Sequence, residues 1–199
     1  MDSRIHEKSK SKAKFKGDNI VQCYSYSTKA GTTIDKQKKE NQDAYIVAPK
    51  LLSQRYMHYF GVCDGHGPNG HFVSKFVKEK LLAGVSRDMK EMLRNFKHHR
   101  FDSEEIVESL RKCHINTNNE VCEEAAIDTR FSGTTSCSVF LLGSTLYCCN
   151  VGDSRVIVGQ FRNGKWVGEA ISRDHKPDNA TEKIRIEKSG GVVQQFYEK

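Results

Sequence analysis

Nowhere in the 199 residues does an apolar run approach the roughly 20 residues that a membrane-spanning helix needs. The first sixteen residues, MDSRIHEKSKSKAKFK, lack the apolar core of a secretory signal, so the sequence reads as intracellular, cytoplasmic or nuclear. No C-x-x-C pair occurs among Cys23, Cys63, Cys113, Cys122, Cys137, Cys148 and Cys149. Their number is odd and most lie inside apolar runs, the usage of buried reduced thiols rather than of a disulfide framework or a zinc site. A proline-rich linker and an internal repeat are both missing. No periodic basic or aromatic-interleaved surface follows the N-terminus, which sets nucleic-acid binding aside.

What is present fits one domain with a sizeable core: 37% apolar and 29% charged residues over a length that needs no second domain. The charge is unevenly spread. Arg4 and five lysines against Asp2 and Glu7 give the first sixteen residues a local +4 of the formal +7. Residues 1–18 therefore read as a basic, solvated tail, with an electrostatic tether or a nuclear address as the functional alternative. Residues 19–199 read as the folded domain.

Strand-like segments dominate that domain. Ile20–Ser27, Ala44–Ala48, Met57–Cys63, Thr134–Leu142, Thr145–Val151, Arg155–Phe161 and Trp166–Ser172 carry strand composition, and Asn163-Gly164 is a strong hairpin signal. Helical periodicity runs through Phe72, Val73, Phe76, Val77 and Leu81. A second stripe runs from Ile106 to Val121 behind Asp102 or Ser103 as N-cap, and a third from Ala180 to Gly190-Gly191. His114 on the second stripe reads as a partly buried helix histidine, and His98-His99-Arg100 as a solvated interhelical cluster. Consecutive strands with separate helices predict an α+β fold of antiparallel sheets with helices packed outside.

Three aspartates border apolar strands: Asp43 before AYIVA, Asp64 after FGVC, and Asp153 after LYCCNVG. Each alone is an ordinary turn residue. Together they form a carboxylate cluster that repels itself unless a cation neutralises it. Oxygen ligands select Mg2+ or Mn2+ over zinc. Gly65 lets the backbone come close, so its carbonyl is a further candidate ligand. His66 beside them suits proton transfer to a leaving oxygen. This is equipment for hydrolysing a phosphate ester.

The stretches KENQDAYIVA, FGVCDGHGPNGHFVSKFV, SGTTSCSVFL, LYCCNVGDSRVIVG and SRDHKPDNATEKIRIEKSGGVV occur in this order. Together they resemble the metal-dependent protein Ser/Thr phosphatases of the protein phosphatase 2C (PPM) family, over roughly residues 20–197. The resemblance implies an antiparallel β-sandwich flanked by helices, in αββα layers. It also implies hydrolysis of phosphoserine and phosphothreonine in proteins by a metal-activated water. Asp64 would bridge two Mg2+ or Mn2+ ions, the Gly65 carbonyl would join one of them, and Asp43 would sit at the same centre. Asp153 would help hold a further, weaker ion. His66 would be the general acid. Phosphorylated proteins are the implied partners, and a monomer is expected.

Two positions depart from the pattern of many animal members. Gln42 stands where they carry an acidic residue. Lys38 stands where they place a phosphate-binding arginine, and it supplies charge without the bidentate fork. The family domain also continues past the Gly190-Gly191 motif to further metal aspartates. Residues 19–199 are therefore expected to be an incomplete domain, inactive or nearly so alone. A non-catalytic phosphoprotein-binding or regulatory module is the alternative.

Overall fold

The computed structural model describes residues 5–7, 20–95 and 101–195. The His98-His99-Arg100 cluster and most of the basic stretch lie outside them. The strands are β1 (Ile5–Glu7), β2 (Asp43–Ala48), β3 (Met57–His66), β4 (Gly133–Thr134), β5 (Ser136–Leu142), β6 (Thr145–Val151), β7 (Ile157–Arg162) and β8 (Lys165–Ala170). The helices are α1 (Gly70–Arg94), α2 (Ser103–Glu123) and α3 (Ala180–Lys188). One antiparallel sheet runs β1-β6-β5-β3-β2, with β4 paired to the end of β3. The hairpin β7-β8 is a second sheet. Antiparallel sheets with separate helices confirm the α+β class.

Period-two alternation sets the core. Met57, Tyr59 and Cys63 of β3 point to the same side as Phe140 and Leu142 of β5 and Tyr147 and Cys149 of β6, all fully or nearly buried. Val73, Val77, Leu81, Val85 and Met89 of α1 close over them. So do Ile106, Leu110, Cys113 and Val121 of α2. Asp102 caps α2 as expected, accepting a hydrogen bond from the Glu104 N–H at 2.8 Å. Asn163 and Gly164, both at positive φ, make the β7-β8 turn. The seven cysteines are free, five of them buried.

Two expectations need correction. Ile20–Ser27 forms no strand; instead Tyr24 lies against Phe60 (ring centroids 5.8 Å) and Tyr26 stacks on Tyr45 (4.4 Å). The two tyrosines, an even step apart, reach down onto the sheet face rather than pairing along its edge. Ile5–Glu7, inside the stretch read as a solvated tail, is paired antiparallel to β6 from Ile5↔Cys149 to Glu7↔Tyr147. The β6 edge offers unpaired peptide groups there, and an extended segment satisfies them.

Candidate metal and phosphate site

The sheet register brings Asp43 and Asp64 directly opposite one another across β2 and β3. Residues so paired have Cβ atoms about 4.5–5.5 Å apart, and like charges there destabilise the pair. Partial burial raises the Asp64 pKa above the usual carboxylate range. The charge of Asp43 and then that of Asp153 push it further up, while His66 pulls it down. Asp43, Asp64, His66 and Asp153 thus share one electrostatic environment. The carboxylates do not close a cage: among the described residues no set of three or more His, Cys, Asp or Glu stands in metal-ligating arrangement. The donor set is nonetheless all oxygen, and its mutual repulsion is the condition that a hard cation relieves.

The backbone around Asp64 is held from several sides. Gly65 is buried so closely that a Cβ there would collide with the Gly70 carbonyl and lie 2.5 Å from the Gln42 carbonyl. The Gly65 N–H donates to that Gln42 oxygen at 3.2 Å. Ser74 Oγ donates to the same oxygen at 2.6 Å. Gln42 Nε2 reaches the Gly67 carbonyl at 2.8 Å. Gln42, read from sequence as a lost acidic residue, is a brace that ties the strand before the site to the turn after it. On the far side His66 pairs with Gly133 in the β3-β4 ladder, and its ring lies over that residue, with Nε2 2.7 Å from where a Cβ would stand.

Thr135 is a residue that sequence reasoning passed over. Its Oγ1 accepts the Asp64 N–H at 3.0 Å and hydrogen-bonds Ser154 Oγ at 2.7 Å, while its own N–H donates to the Asp64 carbonyl at 2.9 Å. It therefore joins the Asp64 strand to the Gly152-Asp153-Ser154 turn. That turn is gripped again by His175, whose N–H donates to the Gly152 carbonyl at 2.9 Å, and by Asn150 Nδ2 at 3.1 Å to the same oxygen. Arg155 clamps Asp174 with two bonds of 2.9 and 2.7 Å, which lowers the Asp174 pKa. Thr135→Val keeps the shape but leaves the Asp64 N–H without its acceptor. We expect a loss of about 1–3 kcal/mol in urea unfolding, and an unchanged midpoint would refute the bridging role.

Lys38 is placed differently from the other site residues. It is exposed on the 31–39 hairpin ahead of β2 and bridged to Thr32.

Comparison with known proteins gives the family and the fold. Residues 2–199 match the family described as Protein phosphatase 2C, and the chain belongs to that family. It is 31% identical over 175 residues to "Probable protein phosphatase 2C 35" of Arabidopsis thaliana, covering 88% of this chain and 47% of that protein. It is 32% identical over 170 residues to "Probable protein phosphatase 2C 45" of Oryza sativa subsp. japonica, covering 85% and 52%. Among solved structures, the serine-threonine phosphatase 2C from Toxoplasma gondii superposes with a TM-score of 0.66 at 26% identity, covering 86% of this chain and 55% of that one. The chain spans about half the length of the curated relatives it matches. Among the described residues no helix is long and apolar enough to cross a membrane.

Proposed function

We propose that the chain acts in the metal-dependent hydrolysis of phosphoserine and phosphothreonine in proteins. The observation that carries this reading is Asp64, opposite Asp43 in the ladder, raised in proton affinity by partial burial and then by Asp43 and Asp153, and followed closely by His66. Asp43, Asp64 and Asp153, with the Gly65 carbonyl, would hold Mg2+ or Mn2+, two or more ions in a whole domain. When bound, such ions supply Lewis-acid activation of water and neutralise charge on the phosphoryl group. The chain's own groups do the rest. The carboxylates fix where the cations and hence the phosphate stand. His66 protonates the departing Ser or Thr Oγ. Lys38 contributes positive charge for the phosphate rather than a bidentate grip. Partners on this reading are phosphorylated proteins met by a monomer in the cytoplasm or nucleus.

A general acid matters most for a poor leaving group. We therefore expect His66→Gln to slow Mn2+-dependent hydrolysis of a phosphoserine peptide by about 10²–10⁴-fold. Hydrolysis of p-nitrophenyl phosphate, whose leaving group needs little protonation, falls much less, and Mn2+ affinity stays at the wild-type value. Equal losses on both substrates, or a matching loss of Mn2+ binding, would remove His66 from this role. The absence of a closed three-ligand arrangement among the described residues favours a second reading, a non-catalytic phosphoprotein-binding module. A folded chain that binds a phosphoserine peptide but no Mn2+ would establish it.

A further inference from the structure

The glycines beside Asp64 and His66 are bare for two different reasons. A Cβ on Gly65 or Gly67 would meet backbone carbonyls, those of Gly70 and Gln42 in the first case and that of Phe131 in the second. A Cβ on Gly133 would have the imidazole of His66 as its three nearest neighbours, with Nε2 at 2.7 Å, Cε1 at 3.0 Å and Cδ2 at 3.7 Å. The φ of Gly133 lies outside the left-handed region, so its backbone does not by itself call for glycine. What the missing side chain makes room for is the ring of His66.

Gly133 is held where it is. It is the register partner of His66 in the β3-β4 ladder. On either side of it the chain is tied to the segment that carries His66: Ser132 Oγ accepts the Asn69 N–H at 2.8 Å, and the Thr135 N–H donates to the Asp64 carbonyl at 2.9 Å. The ring has little else to hold it. His66 is exposed, and among the described residues no hydrogen bond reaches either of its ring nitrogens. His66, Ser132, Gly133 and Thr134 line one cavity of about 480 Å³, so a ring without a rest has open space to turn into. An exposed imidazole free to turn populates several staggered rotamers. A proton donor, however, must be aligned with the oxygen it serves. An aromatic ring laid on a glycine across an antiparallel pair removes that freedom. We infer that Gly133 is the positioning residue for His66: its bare Cα is the seat that holds the imidazole in one rotamer. The catalytic consequence rests on the general-acid reading of His66, and the seat itself on geometry alone.

The test is the side-chain conformation of His66, read by NMR in the full wild-type chain and in Gly133→Ala. Wild-type Hα–Hβ couplings should report one χ1 rotamer, with an NOE from the His66 Hε1 to the Gly133 Hα. In Gly133→Ala the added methyl takes the place of the ring, so the couplings should average and the NOE to position 133 should vanish. Cross-strand NOEs between Asp64 and Thr135 should persist, which separates a turned ring from a lost strand. If the variant does not fold, the wild-type couplings and NOE decide alone. Averaged His66 couplings in the wild type, or a Gly133→Ala chain that keeps the wild-type rotamer, would overturn the proposal. With Mn2+ present, Gly133→Ala should slow hydrolysis of a phosphoserine peptide by about 10²-fold, and that of p-nitrophenyl phosphate much less. A turned ring with an unchanged peptide rate would leave the seat standing and remove the general-acid reading, so the two fail separately.

Discussion

Replacing Asp64 by asparagine should stabilise the metal-free chain and, in the same variant, remove the stabilisation that Mn2+ confers on the wild type. Asp64 faces Asp43 across the ladder, and burial, Asp43 and Asp153 together raise its pKa. The folded chain thus holds this proton more tightly than the unfolded chain does. Stability falls as pH rises through the raised pKa, and at neutral pH the ionised carboxylate is a net cost. Cross-strand like charges cost about 0.2–1 kcal/mol. Asp64 is exposed to solvent on one side, which places the figure in the lower half of that range. Asparagine removes the charge at almost constant shape, so in EDTA the melting temperature should rise by about 1–2 °C. In Mn2+ the order reverses. At a concentration 100 times its dissociation constant a ligand adds about 2.7 kcal/mol, and only the wild type should gain it. Thermal melts of both proteins in EDTA and in Mn2+ decide the matter. A variant that keeps the Mn2+ gain would show that Asp64 does not hold the cation.

Gly65→Ala should damage the site although it adds only one methyl group. The added Cβ would run into the carbonyls of Gly70 and Gln42, which are backbone atoms of the α1 start and of the chain entering β2. Neither can swing aside as a flexible side chain would. Overpacking of this kind costs about 1–3 kcal/mol, read as a lower urea midpoint. The displacement would also reach both neighbours, Asp64 and His66. Loss of supporting contacts around metal ligands lowers affinity by about 10–100-fold, so calorimetric Mn2+ affinity should fall together with stability. A Gly65→Ala chain with the wild-type urea midpoint would mean that this close approach is not tight.

The parts of this fold legible in the sequence are those set by near neighbours. The β6 bounds, the Asn163-Gly164 turn and the Asp102 cap follow from residues within a few positions of one another. The α1 stripe was legible to Leu81, but its helix continues to Arg94 because Val85 and Met89 keep the same spacing. Tyr24 and Tyr26 misled because strand composition does not supply a ladder partner. The aspartates were legible because each interrupts the edge of an apolar run. Their pairing was not, since the Asp43↔Asp64 register depends on how two strands align. The braces escaped for the same reason: Thr135 acts on Asp64 and Gln42 on Gly67 across separations that no local pattern encodes. His114 reads from sequence as a partly buried helix histidine, and the structure buries it with Nδ1 2.8 Å from the Leu110 carbonyl.

The central claim is that Asp43, Asp64 and Asp153 hold a divalent cation between them, and paramagnetic Mn2+ tests it most directly. In a backbone-assigned 1H–15N spectrum, substoichiometric Mn2+ should broaden resonances first around residues 43, 64–66 and 152–154, and Asp64→Asn should abolish that pattern. Broadening centred elsewhere, or the same pattern in the variant, would contradict the account.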